Sequence, residues 1–438
     1  MDPDAAIDPS SCQPTRVRFA VLGGACALAV VTYIHRVGFA TASAEMRGPL
    51  QLSDQHLGML MAAFMVAYGL FEIPWGYLSD RLGVRIVLAV VILGGSVLTA
   101  VLPLVGVLPR ELGWIVGFLL VVRFLFGAFQ AGTFPAISRL VADWMPAGER
   151  GGAQGVLWMS SRLGGAIAPS LLVWLFALVG DWRAPLVMVS ALGFIWCAVF
   201  CPWFRNRPHE MPQVNAAEQA LISARQNRNW ESAHRPFPLA SILRNRSVWS
   251  LCLMYGFLGY SGNFFLTLLP SYLKNHRGFD SVTVGYLTSL PFAFGVAACL
   301  VGGAASDALV RRWKTRWSRP VVGASGMAVA ALAILGTIWA SDVVSLAVLL
   351  CLTFVGNDLA MGPAWAAAGD LGGRHTGTIS GTMNMMASFT AAAAALVTGT
   401  LFDRGFFVVP FAVFSASYLL GVVCWLGVDV TTPLLDEE

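Results

Sequence analysis

Charge is scarce in this chain: Asp, Glu, Lys and Arg make up 12% of its 438 residues, about half the share of an ordinary soluble domain. Lysine is nearly missing. Only Lys274 and Lys314 occur, so there is no G-K-[ST] phosphate loop and ATP hydrolysed on this chain cannot drive its work. The eight cysteines are scattered, most of them inside apolar runs. Cys197 and Cys201 stand one helical turn apart, but no C-x-x-C or Cys/His set accompanies them, and neither a metal nor another cofactor is expected. A G-x-S-x-G elbow and nucleic-acid motifs are missing too. The expectation is therefore neither an enzyme nor a partner of DNA or RNA.

Apolar residues fill the gap. They form 57% of the chain and give it a mean hydropathy of +0.69. They gather in runs of about 20 residues or more, the length that a hydrocarbon core about 30 Å thick requires. No water reaches backbone groups there, so each run is a helix; a membrane barrel would show alternating segments of about 10 residues instead. The expected spans are 18–44, 56–79, 84–108, 112–141, 153–179, 184–204, 247–273, 281–306, 319–340, 343–367, 376–402 and 406–428. This predicts an all-α membrane protein of twelve transmembrane helices. A tail covers 1–17, a six-helix bundle 18–204, a polar linker 205–246, a second six-helix bundle 247–428 and a tail 429–438. The first run follows Asp2, Asp4 and Asp8 and lacks an A-x-A cleavage signal, so it reads as a spanning helix.

With both termini inside, the inner segments carry 19 of the 28 Lys and Arg and the outer loops six. This positive-inside bias predicts a multi-pass protein of the inner membrane with both termini cytoplasmic. The halves also echo each other. Gly76-Tyr77-Leu78-Ser79-Asp80-Arg81-Leu82-Gly83-Val84-Arg85 returns in worn form as Gly302-Gly303-Ala304-Ala305-Ser306-Asp307, followed by Arg311-Arg312. Glycine permits a tight turn and close helix approach there, while Asp80 can pair with an arginine or cap a neighbouring helix to hold a shut state. Recurrence at the matching place of the second half marks an internal repeat.

The first decapeptide resembles the G-x-x-x-D-R-x-G-x-R loop signature of the major facilitator superfamily. More narrowly, the chain resembles its anion:cation symporter family, which holds bacterial sugar-acid transporters and relatives of sialin and the vesicular glutamate transporters. That likeness rests on Tyr33 to Val37, Tyr68 to Arg81, Arg123 to Pro135, Trp144-Met145-Pro146, Pro208-His209-Glu210, Leu269 to Leu273 and Asn384. It implies that Tyr33, Arg36, Tyr68, Arg123 and Asn384 line a central anion site. His35 and Gln130 stand where sugar-acid members often carry acids tied to proton coupling, and Arg162 stands where relatives more often place an amide.

Three arginines, Arg36, Arg123 and Arg162, lie inside spans, where each costs about 2.5–3.5 kcal/mol if uncompensated. Only two acids, Glu72 and Asp358, lie well inside spans with them. The surplus favours an anionic ligand over purely structural ion pairs, and a guanidinium fork suits a carboxylate. Gln130, two turns after Arg123, either donates to a substrate hydroxyl or bonds across helices. Asp358, His35 and Glu72 are the candidates for proton coupling, against static readings as an ion pair with Arg162, a neutral histidine and a structural acid. The gating turn comprises Gly76, Asp80, Arg81, Gly83, Arg85, Asp307 and Arg311. The expectation is a monomeric secondary transporter that imports a small organic anion, a sugar acid or related carboxylate, by alternating access with proton symport. An efflux carrier and a transporter-like sensor are the rival readings.

Overall fold

The structure, a computed structural model, describes residues 13–107, 109, 111–223 and 244–432. Residues 224–243 of the expected linker, most of the N-terminal tail and the end of the C-terminal tail lie outside the described residues. The helices are α1 (Val17–Arg47), α2 (Asp54–Leu82), α3 (Val84–Val101), α4 (Leu112–Gln130), α5 (Thr133–Trp144), α6 (Arg150–Val179), α7 (Arg183–Trp203) and α8 (Ala216–Ser223). They continue as α9 (Arg246–Thr267), α10 (Leu269–Asn275), α11 (Ser281–Trp313), α12 (Pro320–Gly336), α13 (Val343–Leu359), α14 (Met361–Gly372), α15 (Thr376–Asp403) and α16 (Val409–Leu426). By length and apolarity, nine stretches among the described residues suffice to cross a membrane. One of these, Val343–Phe402, runs 60 residues through α13, α14 and most of α15, while α12, at 17 residues, is a shorter apolar helix.

Local chemistry starts these helices. Ser53 and His56 form a reciprocal capping box at α2. Asn245 caps α9 through the Val248 amide at 3.0 Å. Asp342 caps α13 by accepting from the Val344 and Ser345 amides; the Ser345 hydroxyl, bonded at 2.6 Å, leads the contacts that lower its pKa.

Three expected spans are broken. The run 112–141 divides into α4 and α5, 247–273 into α9 and α10, and 343–367 into α13 and α14. Each break lies two to four residues before a proline, at Pro135, Pro270 and Pro363. Proline has no N–H for the carbonyl four residues back, and its ring crowds that carbonyl. The short pieces α5 and α14 are buried nearly along their whole length.

Helices α1 to α7 pack on one another, as do α9 to α16, and the two sets meet along two seams, α2 against α15 and α6 against α11. Main chain approaches main chain there. A Cβ on Gly76 would lie 2.2 Å from the Gly377 carbonyl oxygen, and one on Gly303 would lie 2.2 Å from that of Gly151. The start of the linker folds back on the first set. Glu218 on α8, fully buried, accepts from the Val17 and Arg18 amides, from the Thr15 hydroxyl at 2.6 Å and from the Arg18 guanidinium at 3.0 Å. Arg18 also pairs with Glu149 at 3.0 Å. One linker carboxylate therefore caps α1 and is tied to the residue that precedes α6.

Candidate functional site

Between the two sets lies a cavity of about 170 Å³. Tyr33 and Arg36 of α1, Tyr68 of α2 and Arg162 of α6 face Asn357 of α13 and Asn384 of α15 across it. Arg36 lies over the rings of Tyr68 at 4.3 Å, Phe64 at 4.9 Å and Tyr33 at 5.6 Å. Aromatic faces stabilise the cation without neutralising it. Among the described residues no carboxylate stands within ion-pair distance of Arg36, and its Nε has no hydrogen-bond partner.

Arg162 differs. Its Nη2 and Nε donate to the two oxygens of Asp358 at 2.8 and 3.1 Å, a two-pronged pair joining the first helix set to the second. Asn357 Nδ2 donates to the same carboxylate at 3.1 Å, and the Tyr418 hydroxyl donates to Asn357 Oδ1 at 3.1 Å. Glu72 forms the other polar link beside the cavity. It is fully buried and accepts from Asn384 Nδ2 and, at 3.4 Å, from the Ser388 hydroxyl. Both donors come from α15, so Glu72 also bridges the sets, through neutral groups.

Three expected residues lie elsewhere. Arg123 sits behind the cavity, over the rings of Phe39 at 4.0 Å, Phe64 at 4.8 Å and Phe126 at 5.3 Å. It shares Phe64 with Arg36 and shares a small closed pocket with His35 and Thr99. His35 is buried and bonds through Nε2 to the Val189 carbonyl at 2.9 Å, so this nitrogen carries the proton. Gln130 is buried beside Gly95 of α3, and neither of its amide atoms has a partner among the described residues. Helical rotation separates these residues from the cavity. Gln130 and Arg123 are seven residues apart on one face of α4, and that face meets α3 and α2. Asn357 and Ser388 were not anticipated as site residues. The signals were present: Asn357 adjoins Asp358, and Ser388 stands four residues after Asn384.

The residues expected to gate lie at the end of the bundle where α1 begins and α16 stops. Asp80 accepts from the Gly377 and Thr378 amides at 2.9 and 2.8 Å, capping the start of α15. Asp307 does the same for α6, accepting from the Gly151 and Gly152 amides at 2.9 and 2.5 Å. Each carboxylate meets the positive end of a helix from the other set. The arginine that pairs with Asp80 is Arg139 of α5, at 3.3 Å, while Arg81 is exposed and lies over Tyr77. Arg319 pairs with Asp307 and Asp370, and Arg150 with Asp370. Arg311 donates to the Gly148 carbonyl at 2.7 Å. Gly83 takes φ +86° in the turn, and Arg85 is held by the Cys201 carbonyl at 2.6 Å.

The profile of the Major Facilitator Superfamily matches residues 24–395. The "Probable sulfoacetate transporter SauU" of Cupriavidus necator is 31% identical over 428 residues, covering 97% of this chain and 96% of that one. The "Probable galactarate/D-glucarate transporter GarP" of Escherichia coli is 28% identical over 412 residues, covering 91% of each. Among solved structures, the proton:xylose symporter XylE superposes with a TM-score of 0.71 at 14% identity, covering 94% of this chain and 98% of that one.

The Arg162–Asp358 pair makes a specific forecast. Removing one partner of a buried ion pair costs about 3–5 kcal/mol, because the other is left uncompensated. Thermal unfolding in detergent should show Arg162→Ala and Asp358→Ala each less stable than the double variant. Additive losses would mean that the two groups do not act as a pair.

Proposed function

Because the chain belongs to the Major Facilitator Superfamily, whose members are transporters and not enzymes, we propose that it imports a small organic anion, a sugar acid or related carboxylate, by alternating access with proton symport. The observation that carries this reading is Arg36, a cation facing the cavity with no carboxylate at ion-pair distance among the described residues. An anion entering the cavity supplies the missing partner, and the aromatic faces around Arg36 hold the guanidinium in place meanwhile. The printed names of the relatives, sulfoacetate and galactarate/D-glucarate transporters, support an anionic substrate. The chain then crosses an inner membrane twelve times in two six-helix halves, with both termini cytoplasmic. The contacts of Asp80 and Asp307 close the cytoplasmic face, so the cavity serves the opposite side.

For coupling, geometry favours Glu72 over Asp358 and His35. Asp358 is held by an arginine, so its protonation would sacrifice an ion pair. His35 is turned into the first helix set. Glu72 bridges the halves through neutral donors, and the charged and titratable groups near it are Arg36 and Tyr68. Its protonation would weaken a link that must break when the halves move. A monoanion entering with one proton carries no net charge, so the pH gradient alone drives accumulation.

Arg36→Ala should weaken substrate binding about 10–150-fold, the loss of one charge-assisted contact, and Arg36→Lys should restore little of it. Equilibrium binding of labelled hexonates, hexarates and sulfoacetate checks this; unchanged affinity for every one that binds rejects the site. Asp80→Asn should slow transport while leaving binding intact, measured as turnover in proteoliposomes against affinity in detergent. Glu72→Gln should abolish uptake driven by a pH gradient and retain exchange of labelled for unlabelled substrate. If Glu72→Gln still accumulates substrate and Asp358→Asn does not, coupling belongs to Asp358.

A further inference from the structure

The connection from α11 to α12 contains the run Arg311-Arg312-Trp313-Lys314-Thr315-Arg316-Trp317, of which only Arg311 belongs to the expected gating turn. All seven residues are exposed, Trp313 at 44% and Trp317 at 36%. The run begins on the last turn of α11 and ends before α12 starts at Pro320, so it sits where two apolar helices reach the end of the bundle. Arg311 is occupied by the Gly148 carbonyl, and Arg316 lies over the Trp317 ring at 4.5 Å. Among the described residues, Arg312, Lys314 and Arg316 form no ion pair with a carboxylate.

The closed face does not require these three charges. The matching connection in the first set, between α2 and α3, is Gly83 alone, and it has no tryptophan. In the second set the internal work falls to Arg319, fully buried against Asp307, Asp370 and the Ala147 carbonyl. Lys314 also takes φ +51°, a left-handed conformation just past a helix end where glycine would be unstrained. The chain thus keeps a cation where backbone preference favours glycine. Two tryptophans beside it present apolar rings with N–H groups, the chemistry of the membrane–water interface.

We propose that Arg312, Lys314 and Arg316, flanked by Trp313 and Trp317, form a binding site for the headgroups of anionic phospholipids in the leaflet at this end of the bundle. The cations meet the lipid phosphates, and the indole rings lie at the level of the acyl-chain carbonyls. Phosphatidylglycerol added to the full chain in detergent should raise its unfolding temperature, and phosphatidylcholine should not. In the variant Arg312→Gln/Lys314→Gln/Arg316→Gln the phosphatidylglycerol concentration needed should rise on the order of 100-fold, since each basic residue contributes roughly fivefold. The charge-preserving variant Arg312→Lys/Arg316→Lys should respond nearly as the parent, which separates loss of the site from damage to the fold. An undiminished response in the triple variant overturns the proposal. So does an equal response to inorganic phosphate at matched concentration, which would mark a site for soluble anions.

Discussion

Charge inside an apolar bundle is costly, and several of the buried charges of this chain find partners across the boundary between the two helix sets. Asp80, Asp307, Arg162 and Glu72 each bond to groups of the opposite helix set. Packing within the first set is largely apolar, and the apolar cluster of the second set reaches across to Phe134 and Trp158 of the first. The boundary between the sets thus carries polar links beside close main-chain contacts and the rings of Phe134, Trp158 and Trp365. Separation is costly unless something replaces the lost partner, which is the condition for tying motion to a substrate or a proton.

The two carboxylates at the closed face act through helix ends more than through arginines. Asp80 and Asp307 each accept two amide N–H groups at the first turn of a helix from the other set. Such a contact depends on both direction and distance, so a small rotation of either half breaks it cleanly. The arginines Arg139 and Arg319 then neutralise the carboxylates from the side. The arrangement repeats because the sequence repeats, and the second copy works although its glycine and arginine spacing has drifted.

Much of this could be read in the chain itself. Long apolar runs, the recurring Asp80 and Asp307 turns and the intramembrane arginines are one-dimensional signals that survive folding. The interruptions at Pro135 and Pro363 were also written in the residues, but an apolar run of the right length hides a broken helix. The seating of Arg123, Gln130 and His35 was not legible. Position along a span tells depth and says little of azimuth, and in a bundle apolar on all sides no polar stripe shows which way a helix faces. Arg139, and not the adjacent Arg81, pairs with Asp80, because neighbouring residues on a helix point about 100° apart.

The backbone contacts at Gly76–Gly377 and Gly151–Gly303 give the closed face a further property. Surfaces built from side chains can adapt, since rotamers shift and gaps fill; a surface built from main chain cannot. A single methyl group at Gly76 or Gly303 is thus a wedge of fixed thickness. It leaves each half free to fold and denies the two halves their tightest fit, so such a protein would rest with this face ajar. The glycines act as a mechanical stop whose tolerance is less than one carbon atom.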